Sequence, residues 1–111
     1  MCHGYPDVGL ISMEEMVRSA HYIAEAVDIP VIVDADTGYG NAINTRRTVR
    51  EFERAGAAGL HIEDQVWPKR CGHLSGKRVI ETGEMVQKIH AALDARRDPD
   101  LVIIARCDAL V

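Results

Sequence analysis

The feature that most constrains this chain is the alternation of helical periodicity with short apolar runs. Three runs rich in aliphatic residues occupy positions 31–33, 59–62 and 101–105, and a stretch with helical spacing precedes each of them. Continuously apolar strands that alternate with helices are typical of a parallel sheet covered by helices. The sequence therefore predicts an α/β fold. A longer loop at 65–80 follows the carboxyl end of the second strand, which is where parallel sheets carry their functional loops.

Capping signals place the three helices. Ser12 followed by Glu15 is a capping-box pattern, so a helix is expected to begin there. Asn44 is expected to cap a second helix, with Gly56 just past its end. A third helix is expected over about 83–97. Four of its apolar residues are expected to face inward: Met85, Val86, Ile89 and Leu93.

Composition and charge exclude several classes of protein. The chain is 47% hydrophobic and 27% charged, as ordinary globular proteins are, and its net charge of −4 gives no basic surface for nucleic acid. No apolar run approaches the ~20 residues of a membrane span, and the first residues do not resemble a secretory signal. Three cysteines cannot all pair internally, which fits a reducing compartment. We therefore expect a cytoplasmic protein without nucleic-acid or membrane partners.

Acidic residues collect where two of the predicted strands end. Asp34 and Asp36 end the first strand, and Glu63 ends the second. Neighbouring carboxylates repel each other unless a cation or a shared proton neutralises them, and oxygen ligands suit Mg²⁺ or Mn²⁺. Arg106 ends the third strand and could bind an anionic carboxylate beside that cation. The sequence therefore predicts a metal and carboxylate site at this edge.

Alternative interpretations of the same residues stay open. Asp34 and Asp36 could instead accept hydrogen bonds from N–H groups of the turn at 37–40. Glu63 could simply form a salt bridge with Arg106. An inward histidine in a strand is more often a hydrogen-bonded core group than a ligand, and we interpret His61 in that way.

The loop after the second strand carries a potentially reactive thiol. Cys71 lies between Lys69-Arg70 and His73, and nearby cations favour the thiolate form. Gly72 and Gly76 would allow such a loop to move as a lid. These features predict proton transfer by Cys71.

Two alternatives apply to this loop. It could be an ordinary surface loop whose cysteine has no function. It could also contribute Cys71 and His73 to a zinc site completed by Cys2 and His3, although the paired ligand spacing that zinc sites usually show is absent. The glycines at 38 and 40 do not form a dinucleotide-binding fingerprint.

These motifs, in this order, resemble the isocitrate lyase and phosphoenolpyruvate mutase superfamily over essentially the whole chain. Within it, the methylisocitrate lyase-like branch, which includes 2-alkylmalate lyases, is the most similar. Five blocks carry the resemblance: Gly4-Tyr5-Pro6-Asp7, Val33-Asp34-Ala35-Asp36, Gly59-Leu60-His61-Ile62-Glu63-Asp64-Gln65, Lys69-Arg70-Cys71-Gly72-His73 and Ala105-Arg106-Cys107-Asp108-Ala109. The fourth block is the most specific, because it marks the carbon–carbon lyases of the family.

The resemblance implies a fold and a metal site. It implies a TIM-type (β/α)8 barrel, of which residues 1–111 would be a fragment supplying about three βα units, resembling strands 3 to 5. It implies Mg²⁺, with Mn²⁺ as a substitute, held directly or through water by Asp34, Asp36 and Glu63. Asp7 would contribute to the metal site or to substrate binding.

The resemblance also implies a reaction. A 2-hydroxy di- or tricarboxylate such as 2-methylisocitrate or a 2-alkylmalate would be cleaved to a 2-oxo acid such as pyruvate and a second carboxylate. Cys71 would be the general acid that protonates the departing carbanion, with Lys69, Arg70 and His73 beside it in the catalytic loop. Arg106 and Gly72 would contact the substrate.

Other members of the family leave two functional alternatives. The parent could decarboxylate or hydrolyse oxaloacetate or form phosphonates, or this chain could be an inactive truncated remnant. The resemblance implies a homo-oligomeric parent, a tetramer, that is cytoplasmic, or mitochondrial if a longer precursor carries a transit peptide.

The chain departs from the family pattern in two respects. Cys107 stands where the family usually has threonine, and the substrate-binding Ser-Gly-Gly loop of the family is not in this sequence. Three buried parallel strands with bare edges would also be awkward in isolation. Expressed alone, the chain is expected to aggregate and to be inactive.

Overall fold

The computed structural model describes residues 10–66 and 78–109 and has an α/β architecture. Three helices and three strands alternate along the chain: α1 (Met13–Ala26), β1 (Ile32–Asp34), α2 (Ala42–Ala55), β2 (Gly59–Glu63), α3 (Thr82–Ala95) and β3 (Val102–Arg106). The strands form one sheet in the order β1-β2-β3, and both pairings are parallel. The predicted α/β class and the parallel sheet are therefore confirmed.

The helix boundaries follow from local capping. At α1 the predicted capping box is present, because the Ser12 hydroxyl accepts from the Glu15 N–H and the Glu15 carboxylate accepts from the Ser12 N–H. The N-cap of α2 is Asn41, so the prediction of Asn44 was wrong. The Asn41 side chain accepts from the N–H of Asn44, whose own side chain accepts from the Asn41 N–H. Asn44 is thus the third helical residue, which closes the box.

The core lies between the sheet and α2. Val49 and Phe52 of α2 and Leu60 and Ile62 of β2 are completely buried. Burial of such apolar side chains away from water is the main stabilising contribution to the fold. Gly56 ends α2 in the left-handed conformation and turns the chain into β2.

The inner face of α3 differs in part from the prediction. Val86 and Leu93 are 49% and 42% exposed, so they do not face inward. The face that is buried carries mainly small residues together with one lysine: Lys88, Ala91, Ala92 and Ala95. Small side chains permit close approach to α2, which moves the bulkier residues to the flanks of the contact. Met85 does pack against the core, as expected.

The second face of the sheet has no helix of the described residues against it. Ile32, Val102 and Ile104 are exposed there, at positions that the strand register places on a common face. At the carboxyl end of the same face the apolar residues give way to His61 and Glu63, with Asp34 and Arg106 in register beside them. The candidate site therefore lies at the carboxyl edge of the open face.

The inserted loop begins and ends at that edge. The N–H of Val66 donates to the Arg78 carbonyl, and the N–H of Ile80 donates to the Asp64 carbonyl. Gln65 and Val79 form an antiparallel bridge between these bonds. The two ends of the loop are thus hydrogen-bonded to each other just past Glu63, at the carboxyl end of β2 where the loop was predicted to lie. Among the described residues, no helix has the length and apolar character needed to cross a membrane.

Candidate functional site

The two acids at the end of β1 lie at the strand terminus and in the tight turn that follows it. The strand ends at Asp34, and Asp36 adopts a left-handed backbone conformation with φ of 51°. The expectation that both acids lie on the strand was therefore wrong for Asp36. The Asp34 carboxylate accepts a hydrogen bond of 2.9 Å from the Asp36 N–H. This bond is local turn capping, but its donor is Asp36 and not one of the N–H groups at 37–40 that the alternative interpretation named.

Tyr39 brings a phenol into the acidic turn. Its hydroxyl donates to Asp36 Oδ2 over 3.1 Å. Burial is the largest cause that raises the pKa of Tyr39, and the charges of Asp36, Asp34 and Glu63 raise it further. The phenol therefore stays protonated as a hydrogen-bond donor at neutral pH. Three carboxylates that act on one phenol also show that this edge has a concentrated negative potential.

The backbone of the turn is held from behind by two helices. The Thr48 hydroxyl of α2 donates to the Gly38 carbonyl over 2.7 Å, and the Lys88 ammonium of α3 donates to the Thr37 carbonyl over 2.9 Å. Lys88 is only 3% exposed, and this burial lowers its pKa. Gly38 has a φ of 87°, and a β-carbon there would lie 2.6 Å from Thr45 Oγ1. The acidic turn is therefore held through its main chain, and it requires glycine.

A network of side chains joins the ends of β2 and β3. The Asp108 carboxylate accepts from Arg106 Nε over 2.9 Å and from Gln65 Nε2 over 2.7 Å. The N–H of Asp108 donates to Asp64 Oδ1 over 2.7 Å. Arg106 Nη1 lies 3.8 Å from Glu63 Oε2. Glu63 and Arg106 therefore form the ion pair that the alternative interpretation expected, although it is a long one.

This network fixes the charge states of its members. Burial alone would raise the pKa of Asp108, but hydrogen bonds from Gln65 and Arg106 outweigh it and hold the pKa below its usual value. Burial alone would lower the pKa of Arg106, but the hydrogen bond and charge of Asp108 raise it. At neutral pH the pair is an ionised carboxylate beside a guanidinium cation.

His61 lies between the two groups. Its Nδ1 is 3.6 Å from Asp34 Oδ1, which is longer than a hydrogen bond. Within residues 10–66 and 78–109, His61 Nδ1 and Thr37 Oγ1 are buried polar atoms without a hydrogen-bond partner. The interpretation of His61 as a hydrogen-bonded core group is therefore wrong for Nδ1, which contacts Asp34 without bonding to it.

The predicted divalent cation would meet two carboxylates at this edge, those of Asp34 and Asp36. In the described part of the chain, no three His, Cys, Asp or Glu side chains are arranged to hold a metal ion. Mg²⁺ usually binds one or two carboxylates and keeps several waters. The negative potential around Tyr39 suits such an ion, and Asp34 with Asp36 could supply its protein ligands. Glu63 as a third ligand stays a prediction, as does the choice of Mg²⁺.

Several residues of the predicted site lie outside the described residues. Five of them belong to the loop at 65–80, hereafter the thiol loop: Lys69, Arg70, Cys71, Gly72 and His73. The sixth is Asp7, near the start of the chain. The zinc alternative also depends on residues in those segments. Their predicted roles stay predictions, although the pinned loop ends place the start and the end of the thiol loop beside Glu63.

Sequence reasoning missed four residues of this edge. Asp108 and Gln65 follow Arg106 and Glu63 by two positions each, and this spacing was an available signal. Lys88 interrupts the small-residue face of α3, which could have suggested a buried cation. No local signal marks Tyr39, because its role depends on the positive φ of 60° that aims its side chain.

A parallel α/β sheet with acids and an arginine at the carboxyl ends of its strands is the arrangement of α/β enzymes whose sites lie at that edge. The family model described as phosphoenolpyruvate phosphomutase matches residues 1–111. This chain therefore belongs to the phosphoenolpyruvate mutase and isocitrate lyase superfamily, as the motifs predicted.

Two curated relatives are similar over nearly the whole chain. A 2,3-dimethylmalate lyase of Eubacterium barkeri is 58% identical over 106 residues, which are 96% of this chain and 37% of that protein. A 2-methylisocitrate lyase of Aeropyrum pernix is 60% identical over 104 residues, which are 94% of this chain and 33% of that protein. The chain spans about a third of the length of these relatives.

Solved structures with different activities share the fold. A phosphoenolpyruvate phosphomutase from Streptomyces platensis subsp. rosaceus matches with a TM-score of 0.94 and 43% identity, over 98% of this chain and 38% of that one. An oxaloacetate acetylhydrolase matches with a TM-score of 0.92 and 44% identity, over 98% and 38%. A phosphonopyruvate hydrolase in complex with oxalate and Mg²⁺ matches with a TM-score of 0.87 and 38% identity, over 98% and 37%. Because one fold serves several reactions, the residues of the site must decide the chemistry.

Proposed function

We propose that this chain is part of a Mg²⁺-dependent carbon–carbon lyase. Its substrate would be a 2-hydroxy di- or tricarboxylate such as 2-methylisocitrate or a 2-alkylmalate, and one product would be a 2-oxo acid such as pyruvate. The observation that carries this proposal is that the acidic turn at Asp34 and Asp36 and the Arg106 guanidinium lie at one sheet edge, close enough for the charge of Asp34 to raise the pKa of Arg106. A cation site beside an anion site suits a substrate that chelates a metal through one carboxylate. The names of the two curated relatives agree with lyase chemistry.

We infer that the sheet is one part of a (β/α)8 barrel. Ile32, Val102 and Ile104 would then line the inside, where the other strands of the parent would cover them. An apolar sheet face is stable in water only when another layer covers it. The chain would supply three of the eight strands, resembling the third to the fifth.

The residues of the chain would divide the work as follows. Asp34, Asp36 and Glu63 would hold Mg²⁺, or Mn²⁺, which when bound acts as a Lewis acid toward the substrate oxygens. Arg106 would bind a carboxylate through its Nη groups, because Asp108 already occupies Nε. Tyr39 stays protonated and holds the Asp36 carboxylate in place.

Cleavage transfers one proton away from the substrate and one to the product. A base takes the hydroxyl proton, the carbon–carbon bond breaks, and its electron pair stays on the carboxylate-bearing fragment as a carbanion. Cys71 would give its Sγ proton to that carbanion, in a loop where Lys69, Arg70 and His73 surround the thiol. Gly72 and Asp7 would contact the substrate as the loop closes, and closure would exclude water.

We also propose a cellular location, an oligomeric state and partners for the parent protein. The parent would act on a small-molecule carboxylate in the cytoplasm, or in mitochondria if a precursor carries a transit peptide. It would be a homo-oligomer, a tetramer by resemblance, with neither nucleic acid nor membrane as a partner.

A second candidate function has a specific observation in its favour. The oxaloacetate acetylhydrolase structure matches this chain with a TM-score of 0.92. Oxaloacetate is a dicarboxylate, as the substrates of the first candidate are di- or tricarboxylates. The sequence Lys69-Arg70-Cys71-Gly72-His73 disfavours phosphonate chemistry but not oxaloacetate chemistry. An inactive remnant is the third candidate.

The test is release of a 2-oxo acid from 2-methylisocitrate by the longest protein that contains this sequence, with and without Mg²⁺. Release that requires Mg²⁺ and disappears in Cys71→Ser supports the lyase. Cys107→Ser is the matched control, because Cys107 is exposed and has no assigned role. Turnover of oxaloacetate alone would favour the second candidate, and a folded protein without any turnover would favour the remnant.

A further inference from the structure

Asp108 occupies an unusual position for a residue without an assigned role. It lies two residues past β3 and is 5% exposed, although a carboxylate is costly to bury. Its side chain and main chain together contact Arg106, Gln65 and Asp64 at distances of 2.7 to 2.9 Å. Each carboxylate oxygen has its own donor, so the group is fixed in orientation as well as in position.

These contacts determine how Arg106 can bind a ligand. A guanidinium group is planar, so a hydrogen bond at Nε fixes the plane and leaves the Nη edge for a second partner. Arg106 Nη1 lies 3.8 Å from Glu63 Oε2, which is too long for a hydrogen bond. The Nη edge thus retains donors that could form a bidentate bond with a ligand carboxylate.

Gln65, two residues past the end of β2, completes the arrangement. Its Nε2 donates to Asp108 Oδ2, opposite the oxygen that binds Arg106. Gln65 is itself 1% exposed and lies at the pinned base of the thiol loop, where it bridges to Val79. The position of Asp108, and through it the plane of Arg106, is therefore tied to the base of that loop.

We propose that Asp108 is a positioning residue that, supported by Gln65, orients the Arg106 guanidinium so that its Nη edge meets the carboxylate of the substrate. This inference rests on the proposed function in one respect, the use of Arg106 for a carboxylate ligand. A purely structural ion pair would stabilise the fold without affecting how tightly an anion binds. The two roles therefore differ in a measurable quantity.

The experiment uses Asp108→Asn in the longest protein that contains this chain. Asparagine keeps the shape and can keep both hydrogen bonds if the Gln65 amide turns over, so the variant removes chiefly the charge. Asp94→Asn, on the exposed side of α3, is the matched control. Binding of Mg²⁺ alone, and of oxalate in the presence of Mg²⁺, is measured by titration calorimetry. The KM and kcat are measured with 2-methylisocitrate.

We expect Asp108→Asn to raise the Kd for oxalate and the KM by about tenfold, with kcat within about threefold and the Kd for Mg²⁺ unchanged. Gln65→Met should raise the Kd for oxalate by about threefold, because Asp108 would lose one hydrogen bond. This variant tests the proposal if Asp108→Asn does not fold. Wild-type oxalate binding in a folded variant, or a fall in kcat at constant KM, would overturn the positioning role.

The outcome also separates this inference from the proposed function. A wild-type protein that binds oxalate but releases no 2-oxo acid refutes the lyase, while weaker oxalate binding in Asp108→Asn still supports the positioning role. A wild-type protein that binds Mg²⁺ but not oxalate shows that Arg106 is not a carboxylate clamp, and overturns the inference.

Discussion

The turn that follows β1 and the network that joins the ends of β2 and β3 are stabilised in different ways. In the turn, Thr48 and Lys88 bind main-chain carbonyls, so its shape does not depend on the acid side chains alone. In the network, the side chains of Gln65 and Arg106 both donate to the Asp108 carboxylate. A backbone-held turn can present carboxylates to a cation, whereas a network with an oriented guanidinium suits an anion. In the proposed function, one sheet edge would thus combine a cation site with an anion site.

The largest effect should come from the main chain of the turn. Gly38→Ala would force an L-residue into a left-handed conformation and bring its β-carbon against Thr45 Oγ1. We expect a loss of about 3 kcal/mol in the free energy of unfolding, from the backbone penalty and the steric overlap together. Denaturant unfolding measures this loss.

Gly83→Ala is the control for that substitution. Nothing lies within 4 Å of a β-carbon at Gly83, which is in the first turn of α3, so alanine there should be neutral or slightly stabilising. An equal loss of unfolding free energy in Gly38→Ala and Gly83→Ala would show that the main chain of the turn after β1 is not specially constrained.

A smaller effect should come from the support of the turn by α2. Thr48→Val keeps the side-chain shape but removes the donor to the buried Gly38 carbonyl, which should cost about 1–2 kcal/mol of unfolding free energy. Thr45→Val is the matched variant, because the Thr45 hydroxyl donates to the carbonyl of Asn41, the N-cap of the same helix, and not to the turn. We expect a smaller loss there. A larger loss for Thr45→Val would mean that α2 does not hold the turn through Thr48.

The elements of the fold could be predicted because their signals are local. The capping box at Ser12, the glycine at 56 and the apolar runs each act within a few residues. Local rules also explain the error at α2, since Asn41 and Asn44 both satisfy the same capping preference. Only the structure shows which of them stands outside the helix.

The site could be predicted less completely, because its contacts join distant parts of the chain. The acids and Arg106 were found from their places at strand ends. The bond between Lys88 and Thr37 joins residues 51 apart, and that between Gln65 and Asp108 joins residues 43 apart. No short motif encodes such pairs, so they depend on how α3 and β3 pack against the rest of the sheet.

The smallest effect should be a pH dependence from Lys88. Burial lowers its pKa in the folded state below the value of 10.5 in the unfolded chain. Between these two values the unfolded state binds more protons, so this group adds stability as pH rises toward 10.5 and lowers stability below the folded pKa. The melting temperature of wild type relative to Lys88→Met should therefore rise with pH over that range.

Lys88→Met is compared with Gln87→Met, an exposed substitution on the same helix that removes no titratable group. The difference in melting temperature between Gln87→Met and wild type should stay constant from neutral to alkaline pH. A wild-type advantage over Lys88→Met that is equally constant would show that Lys88 is not desolvated behind the turn.

The most direct test of the two-site account is calorimetric titration of Mg²⁺, and of oxalate with Mg²⁺, into Asp34→Asn and Asp108→Asn in the longest protein that contains this chain. We expect Asp34→Asn to weaken binding of both ligands, because oxalate would bind the turn together with the cation. We expect Asp108→Asn to weaken binding of oxalate alone. Equal loss of Mg²⁺ binding in the two variants would contradict the division of the edge into a cation site and an anion site.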